Sequence, residues 1–260
     1  MSFARTAVRR LLPGHLARAY DGYRRWKSMR RNRRMTTEEV FTGIYSDNRW
    51  GGPPGSFCSG DGSHDAAIVS PYIALMTAEL RRIGATRKTV VDLGCGDFAV
   101  GRQLSADCGR YIGVDIVKAL IERNRAAFAG PQISFVHADI IADALPAGDV
   151  CFVRQVLQHL SNAQIAQALP KLQKVRWCYL TEHHPSAARL RRPNVDKPAG
   201  DDTRLAAGSG VFLDEAPFNI AAVGYRLLLE VPATRSGRGA DPGIIRTYLI
   251  DNAAARAAQP

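Results

Sequence analysis

The chain has 260 residues, with 35 Lys and Arg against 24 Asp and Glu, a formal net charge of +11. Its 46% hydrophobic and 8% aromatic content excludes wholesale disorder, a collagen-like repeat and a disulfide-stapled miniprotein, and the length suffices for a sizeable core. No apolar run approaches the ~20 residues of a membrane-spanning helix. Five scattered cysteines without a CxxC pair (Cys58, Cys95, Cys108, Cys151, Cys178) fit a reducing, cytoplasmic setting better than a disulfide framework or zinc ribbon.

The charge is concentrated at one end. Residues 1–34 hold eleven Lys and Arg and one acid, Asp21, which leaves 24 basic and 23 acidic side chains for the rest. A nearly neutral body argues against a broad nucleic-acid groove. In the basic arm, Val8, Leu12, Leu16, Tyr20, Tyr23 and Trp26 recur at steps of three or four, with Pro13-Gly14 as a helix break. Three readings suit such an arm. It is an amphipathic helix on an anionic, inner-membrane surface, a helix whose apolar stripe packs on its own domain, or an Arg-rich transit peptide.

Residues 35–87 form a second segment. Met35-Thr36-Thr37-Glu38-Glu39 reads as a capped helix start. The Gly/Pro/Ser-rich stretch from Ile44 to Ser63 reads as a loop, and 65–83 as a helix stopped by Gly84. From residue 88 to 260, short β-rich runs alternate with helices. Strands are expected at 88–93, 111–115, 134–139, 150–155, 177–183, 225–231 and 244–251. Helices are expected after the glycine turn, at 117–128 and from Ser161 or Asn162 to about Lys174. This alternation implies an α/β fold, a doubly wound, mostly parallel sheet with helices on both faces.

The chemistry starts at Val90-Val91-Asp92-Leu93-Gly94-Cys95-Gly96-Asp97-Phe98-Ala99, where the first of these strands meets a glycine turn. A doubly wound sheet opens its ligand crevice there. Gly94 and Gly96 allow close approach to the backbone, but Asp92 and Asp97 flank them, the wrong charge for a pyrophosphate. An ammonium and a sulfonium suit those carboxylates, and S-adenosylmethionine carries both. Asp115 ends the second strand, where an acid accepts from both ribose hydroxyls. Asp139 ends the third, within reach of an adenine amino group. Taken one at a time, each acid is also an ordinary cap after a strand.

VVDLGCGD, YIGVD and HAD, in that order, resemble the class I S-adenosylmethionine-dependent methyltransferases over roughly residues 40–251. The resemblance implies a Rossmann-like seven-stranded sheet with one antiparallel strand in a C-terminal hairpin. It implies that Gly94 and Gly96 cradle the cofactor, that Asp115 with Ile116 and Asp139 with Ile140 flank its nucleoside, and that Gln155 lies beneath its methionine part. Phe98 departs from the family, which often has a third glycine there, and is expected to narrow the pocket. IYxxNxWGG (44–52), SGxGS (59–63), RQVLQHL (154–160) and TEHxP (181–185) are similar to a bacterial subgroup associated with sugar and cell-surface glycan methylation.

Methyl transfer to a hydroxyl needs positioning and a base. His183, in TEHxP at the fifth strand's end, is the first candidate and His159 the second, with local capping and lid packing as their plainer roles. Glu182, His183, His184 and Asp196 hold metal-ligand chemistry that would favour Mg²⁺, but their spacing is poor and no required metal is expected. The polar stretch 186–219 offers Arg191, Asn194, Asp196 and Arg204 to a small-molecule or glycan acceptor, or else is a surface loop. Trp50–Ser63 is the candidate lid, with Trp50 toward the substrate. Other readings are a small metabolite or quinone-like lipid as acceptor, an RNA methyltransferase using the arm, and a non-catalytic cofactor-binding module.

Overall fold

The computed structural model describes residues 14–53, 55–220, 224–233 and 242–253. In chain order, α1 (Gly14–Asn32), α2 (Thr37–Ser46), α3 (Asp61–His64) and α4 (Ala66–Arg82) precede the sheet. β1 (Thr89–Leu93), α5 (Gly101–Leu104), β2 (Arg110–Asp115), α6 (Lys118–Phe128) and β3 (Ile133–His137) follow. β4 (Val150–Arg154), α7 (Asn162–Leu172), β5 (Trp177–His184), β6 (Tyr225–Pro232) and β7 (Ile244–Asp251) complete the fold.

Local chemistry accounts for the helix starts. Thr36 and Glu39 form a reciprocal capping box before α2, and Ser161 and Gln164 form one before α7. Asp65 caps α4 by accepting from the Ala67 amide at 2.9 Å. α1 starts at Gly14; Pro13, with Val8 and Leu12 of the expected stripe, lies outside the described residues.

The strands assemble in the order β3-β2-β1-β4-β5-β7-β6. β1 to β5 are parallel, and β7 runs antiparallel to both β5 and β6. The reversal of order between β1 and β4 is the switch point of a doubly wound sheet. Strand alternation divides the core into two layers. Val91, Leu93, Val114, Val153 and Leu180 pack under α7 residues Ile165, Leu169 and Leu172. Val90, Tyr111, Phe152 and Tyr179 pack against Tyr72, Met76 and Leu80 of α4.

Two expectations shift. The helix after the glycine turn has only four residues and passes into a short 3-10 turn, Ser105–Asp107, before Gly109 leads into β2. A Cβ on Gly109 would lie 2.8 Å from the Thr86 carbonyl oxygen. Phe98, at φ 65°, does not narrow the cavity. It turns beneath the loop, fully buried against Tyr111, Phe128 and Phe135.

Candidate active site

The carboxyl ends of all five parallel strands converge on one cavity. Gly94, Cys95 and Gly96 line it after β1, Asp115 and Ile116 at β2, and Asp139 to Ile141 beyond β3. Gln155 and Val156 follow β4, and His183 sits near the end of β5. Gly94 (φ 75°) and Gly96 (φ 55°) hold left-handed backbone, and a Cβ on Gly96 would strike Ser59 Oγ at 2.3 Å. The glycines are therefore required twice, for the turn and for the close approach of the segment above it.

That segment is the expected lid. Trp50 and Ser59 to Ser63 line the cavity opposite the strand ends. Ser59 bonds the loop in both directions, its amide donating to Asp97 Oδ2 at 2.8 Å and its Oγ accepting from the Asp97 amide at 2.9 Å. His64 Nε2 lies 2.6 Å from the same Asp97 oxygen. The half-buried Arg154 donates through its guanidinium to the Gly62 carbonyl and lies over the Tyr72 ring at 4.8 Å. Gly62 packs against the Gln155 amide, which a Cβ there would displace.

The four acids of the sequence reading divide. Asp115 and Asp139 line the cavity; Asp92 and Asp97 do not. Asp115 accepts from the Gly96 amide at 3.1 Å and the Val117 amide at 3.0 Å, and burial raises its pKa. Asp139 lies two residues past β3 and accepts from the Ile141 amide at 2.7 Å. Both therefore cap their loops and face the cavity, and a carboxylate with about four acceptor sites accommodates both tasks. Asp92 is buried behind the turn, where Tyr111 donates to it at 2.7 Å and burial pushes its pKa up to about 6. Asp97 fastens the lid instead of facing a ligand.

Both histidine candidates line the cavity. His183 Nε2 lies 2.7 Å from the Pro242 carbonyl, which only accepts, so Nε2 donates there. His159 is buried beside Trp50, with ring centroids 5.2 Å apart, and Nδ1 donates to the Gly200 carbonyl at 3.0 Å. Burial, with Lys197 nearby, lowers its pKa to about 3, so it stays neutral and is a weak base. Gln158 links the two histidines, donating to His159 Nε2 at 3.2 Å and accepting from the His183 amide at 2.9 Å. RQVLQHL contained Gln158, but nothing in its spacing showed the link.

Glu182 was also missed as anything but a metal candidate. It is fully buried and accepts from the amides of Val156, Leu157 and Gln158 at 3.2, 2.8 and 2.9 Å, fixing the turn that carries Gln158 and His159. Burial nevertheless raises its pKa to about 7. Among the described residues, the one trio with gathered metal-ligand atoms is Cys58, His64 and Asp97, where the Asp97 oxygen already accepts from Ser59.

The 186–219 stretch departs most from expectation. Arg191, Asn194, Asp196 and Arg204 do not line the cavity; Asp201 and Thr203 of the same stretch do. Asn194 donates to the Phe212 and Ala216 carbonyls at 2.7 and 2.9 Å, and Asp196 accepts from the Asn162 amide at 2.7 Å. Arg204 is buried and donates to the carbonyls of Val195, Gln158 and Leu160 at 3.0, 3.0 and 2.8 Å. These polar side chains knot the loop, because buried backbone carbonyls require donors. Arg191 is exposed.

His184 is buried against Phe212 and Tyr248, and neither ring nitrogen has a partner. Burial lowers its pKa to about 3. An unfolded histidine titrates near ~6.5, so protons favour the unfolded chain between these values and the native state loses stability as pH falls through them. We expect His184→Leu to gain on the native protein by about 1.4 kcal/mol per pH unit below ~6.5. Urea unfolding at pH 7, 6 and 5 measures this, and a pH-independent difference would refute it.

Residues 90–176 match the methyltransferase-domain family. Uncharacterised methyltransferases of Mycobacterium bovis and Mycobacterium tuberculosis are 33% identical over 79 residues, 30% of this chain and 40% of theirs. The match thus spans about two fifths of those relatives. An N-methyltransferase structure from Bradyrhizobium japonicum is 16% identical with a TM-score of 0.47, covering 70% of this chain and 97% of that one. A magnesium protoporphyrin IX methyltransferase from Synechocystis is 14% identical with a TM-score of 0.48, covering 82% and 97%. The seven-stranded sheet, with its glycine turn at the switch point and β7 as its antiparallel strand, thus carries a segment from Val90 to Arg176 that is similar to the methyltransferase-domain family.

Proposed function

We propose that the protein is an S-adenosylmethionine-dependent methyltransferase acting on a hydroxyl of a sugar or glycan-lipid acceptor. The observation that carries the cofactor half is the charge of the cavity. Asp61, Asp115, Asp139 and Asp201 line it against one cationic side chain, Arg154. Such a lining repels a pyrophosphate and suits a ligand bearing a sulfonium and an ammonium. Gly94 and Gly96 line the cavity, and a Cβ on either would meet Val156 or Ser59 of its wall. Asp115 would hold the ribose hydroxyls, Asp139 the adenine end, and Gln155 would lie beside the amino-acid part.

When bound, the cofactor supplies a methyl group activated by the sulfonium. The chain's own residues do the rest. Trp50, Phe41 and Tyr45 wall the cavity with aromatic surface and, with the lid, exclude water. Gln158 and the neutral His159 set the position of the acceptor side. His183, which lines the cavity near the end of β5, takes the acceptor's proton, which activates an otherwise poor alcohol nucleophile. The sugar half of the reading rests on the subgroup resemblance and on hydrogen-bonding groups such as Asp201 and Thr203 at that side.

The test supplies methyl-labelled S-adenosylmethionine and a lysate of the source organism, then separates lipid, polysaccharide, RNA and small molecules. Label in lipid or polysaccharide is expected, with His183→Ala retaining cofactor affinity but losing at least about a hundredfold in turnover. Label in RNA or small molecules alone would overturn the acceptor, and full activity of His183→Ala would remove it as the base.

A further inference from the structure

The amphipathic helix α1 is mounted the wrong way round for a helix that serves only its own domain. Leu16, Tyr23 and Trp26 are 47, 58 and 53% exposed. Spaced seven and three residues apart, they share one helical face with the exposed Arg30. The other side is polar and faces the protein. There Arg25 lies 3.6 Å from Asp202, and buried Asn32 donates to the Ala199 carbonyl at 2.8 Å. A surface helix ordinarily buries its apolar stripe; here the stripe points to solvent, against the expectation of self-packing. Tyr23 and Trp26 stack at 6.0 Å, and Arg30 lies over the Trp26 ring at 5.5 Å.

We propose that α1 is an interfacial helix that docks the protein on an anionic bilayer. Tyrosine and tryptophan favour the headgroup level, where an apolar ring body meets a polar tip. Lys27 and Arg30 are exposed on or beside that face, and exposed Arg33 and Arg34 follow the helix end; these would meet lipid phosphates. The charge selects this occupant. Residues 1–34 carry eleven cations and one acid, and that acid, Asp21, is on the inner side. A second copy of the chain would set this excess against itself, which like-charge repulsion opposes. RNA would engage the arginines and stack bases on Tyr23 and Trp26, but it leaves the exposed Leu16, which a bilayer buries, without a use.

Docking through the outer face of α1 would hold residues 199–202, and with them the Asp201 side of the cavity, one helix diameter (~10 Å) from the lipid surface. The inner face of α1 grips residues 199–202, and Gly200 bonds His159 through both its amide and its carbonyl. The acceptor this geometry serves is an amphiphile whose headgroup stands at the membrane. The docking itself does not depend on the methyl-transfer reading, because it is measured without cofactor.

The experiment is sedimentation of the full chain with vesicles of phosphatidylcholine alone or of phosphatidylcholine mixed with anionic phosphatidylglycerol. Binding is expected with the anionic vesicles, falling as salt rises. Leu16→Ser/Tyr23→Ser/Trp26→Ser is expected to weaken it by at least about tenfold, with S-adenosylhomocysteine affinity unchanged by calorimetry. Equal partition of the triple variant, or absence of binding to anionic vesicles, overturns the proposal. So does a dimer, by light scattering, that the same variant abolishes. Tight RNA binding lost on deleting residues 1–34, with no vesicle binding, replaces the membrane by nucleic acid. Failure of cofactor binding alongside intact vesicle binding would sink the enzyme reading and leave this one standing.

Discussion

Asp115→Asn is expected to weaken S-adenosylmethionine binding by about a hundredfold or more. Asp115 is buried at the end of β2, lines the cavity and already accepts from two loop amides. A carboxylate bonded to two hydroxyls forms two charge-assisted bonds of about 1.5–3 kcal/mol each. Losing them corresponds to roughly a hundredfold or more in Kd. Asparagine keeps the shape but turns one of the two oxygens that hold the Gly96 and Val117 amides into a donor, so a urea midpoint taken alongside separates lost ribose acceptance from a loosened loop. The control is Asp92→Asn, also buried and also in the glycine motif, but behind the turn on Tyr111. Its Kd should change by less than about tenfold. Calorimetry on both variants decides the site, and equal losses would show that the motif's charge matters more than its contacts.

Arg204→Ala should cost about 3 kcal/mol or more of stability. Its guanidinium is the donor for carbonyls of Val195, Gln158 and Leu160 that lie in a buried environment. Removing it strands those acceptors, and each stranded group costs about 1–3 kcal/mol. The urea midpoint should fall sharply, while exposed Arg191→Ala should stay within about 0.5 kcal/mol of the native protein. An unchanged midpoint with a raised KM for the acceptor would restore Arg204 to the substrate side.

These two residues mark what was readable before folding. The strands were legible because a sheet buried on both faces demands near-continuous apolar runs, and VVDL, VCFV and WCYL supply them. The glycine turn was legible because a left-handed backbone and a close approach leave little choice but glycine. Asp115 followed from its place one strand later. Arg204, Asn194 and Asp196 were not legible. A polar residue in a long loop has the same appearance whether it waits for a ligand or satisfies a distant carbonyl. Arg204 reaches residues more than 40 positions away, and no spacing rule spans that distance.

The sequence alone therefore determined the α/β architecture, the crevice at the β1 turn and the basic helix at the start of the chain. Each depends on neighbours within a few residues, where periodicity and backbone preference act. Tertiary structure decided which carboxylates face the cavity, that Gln158 and Glu182 organise the histidines, and which face of α1 is left to solvent. Those outcomes depend on long-range hydrogen bonding. Every buried polar group must find a partner, and the partner is set by the whole fold.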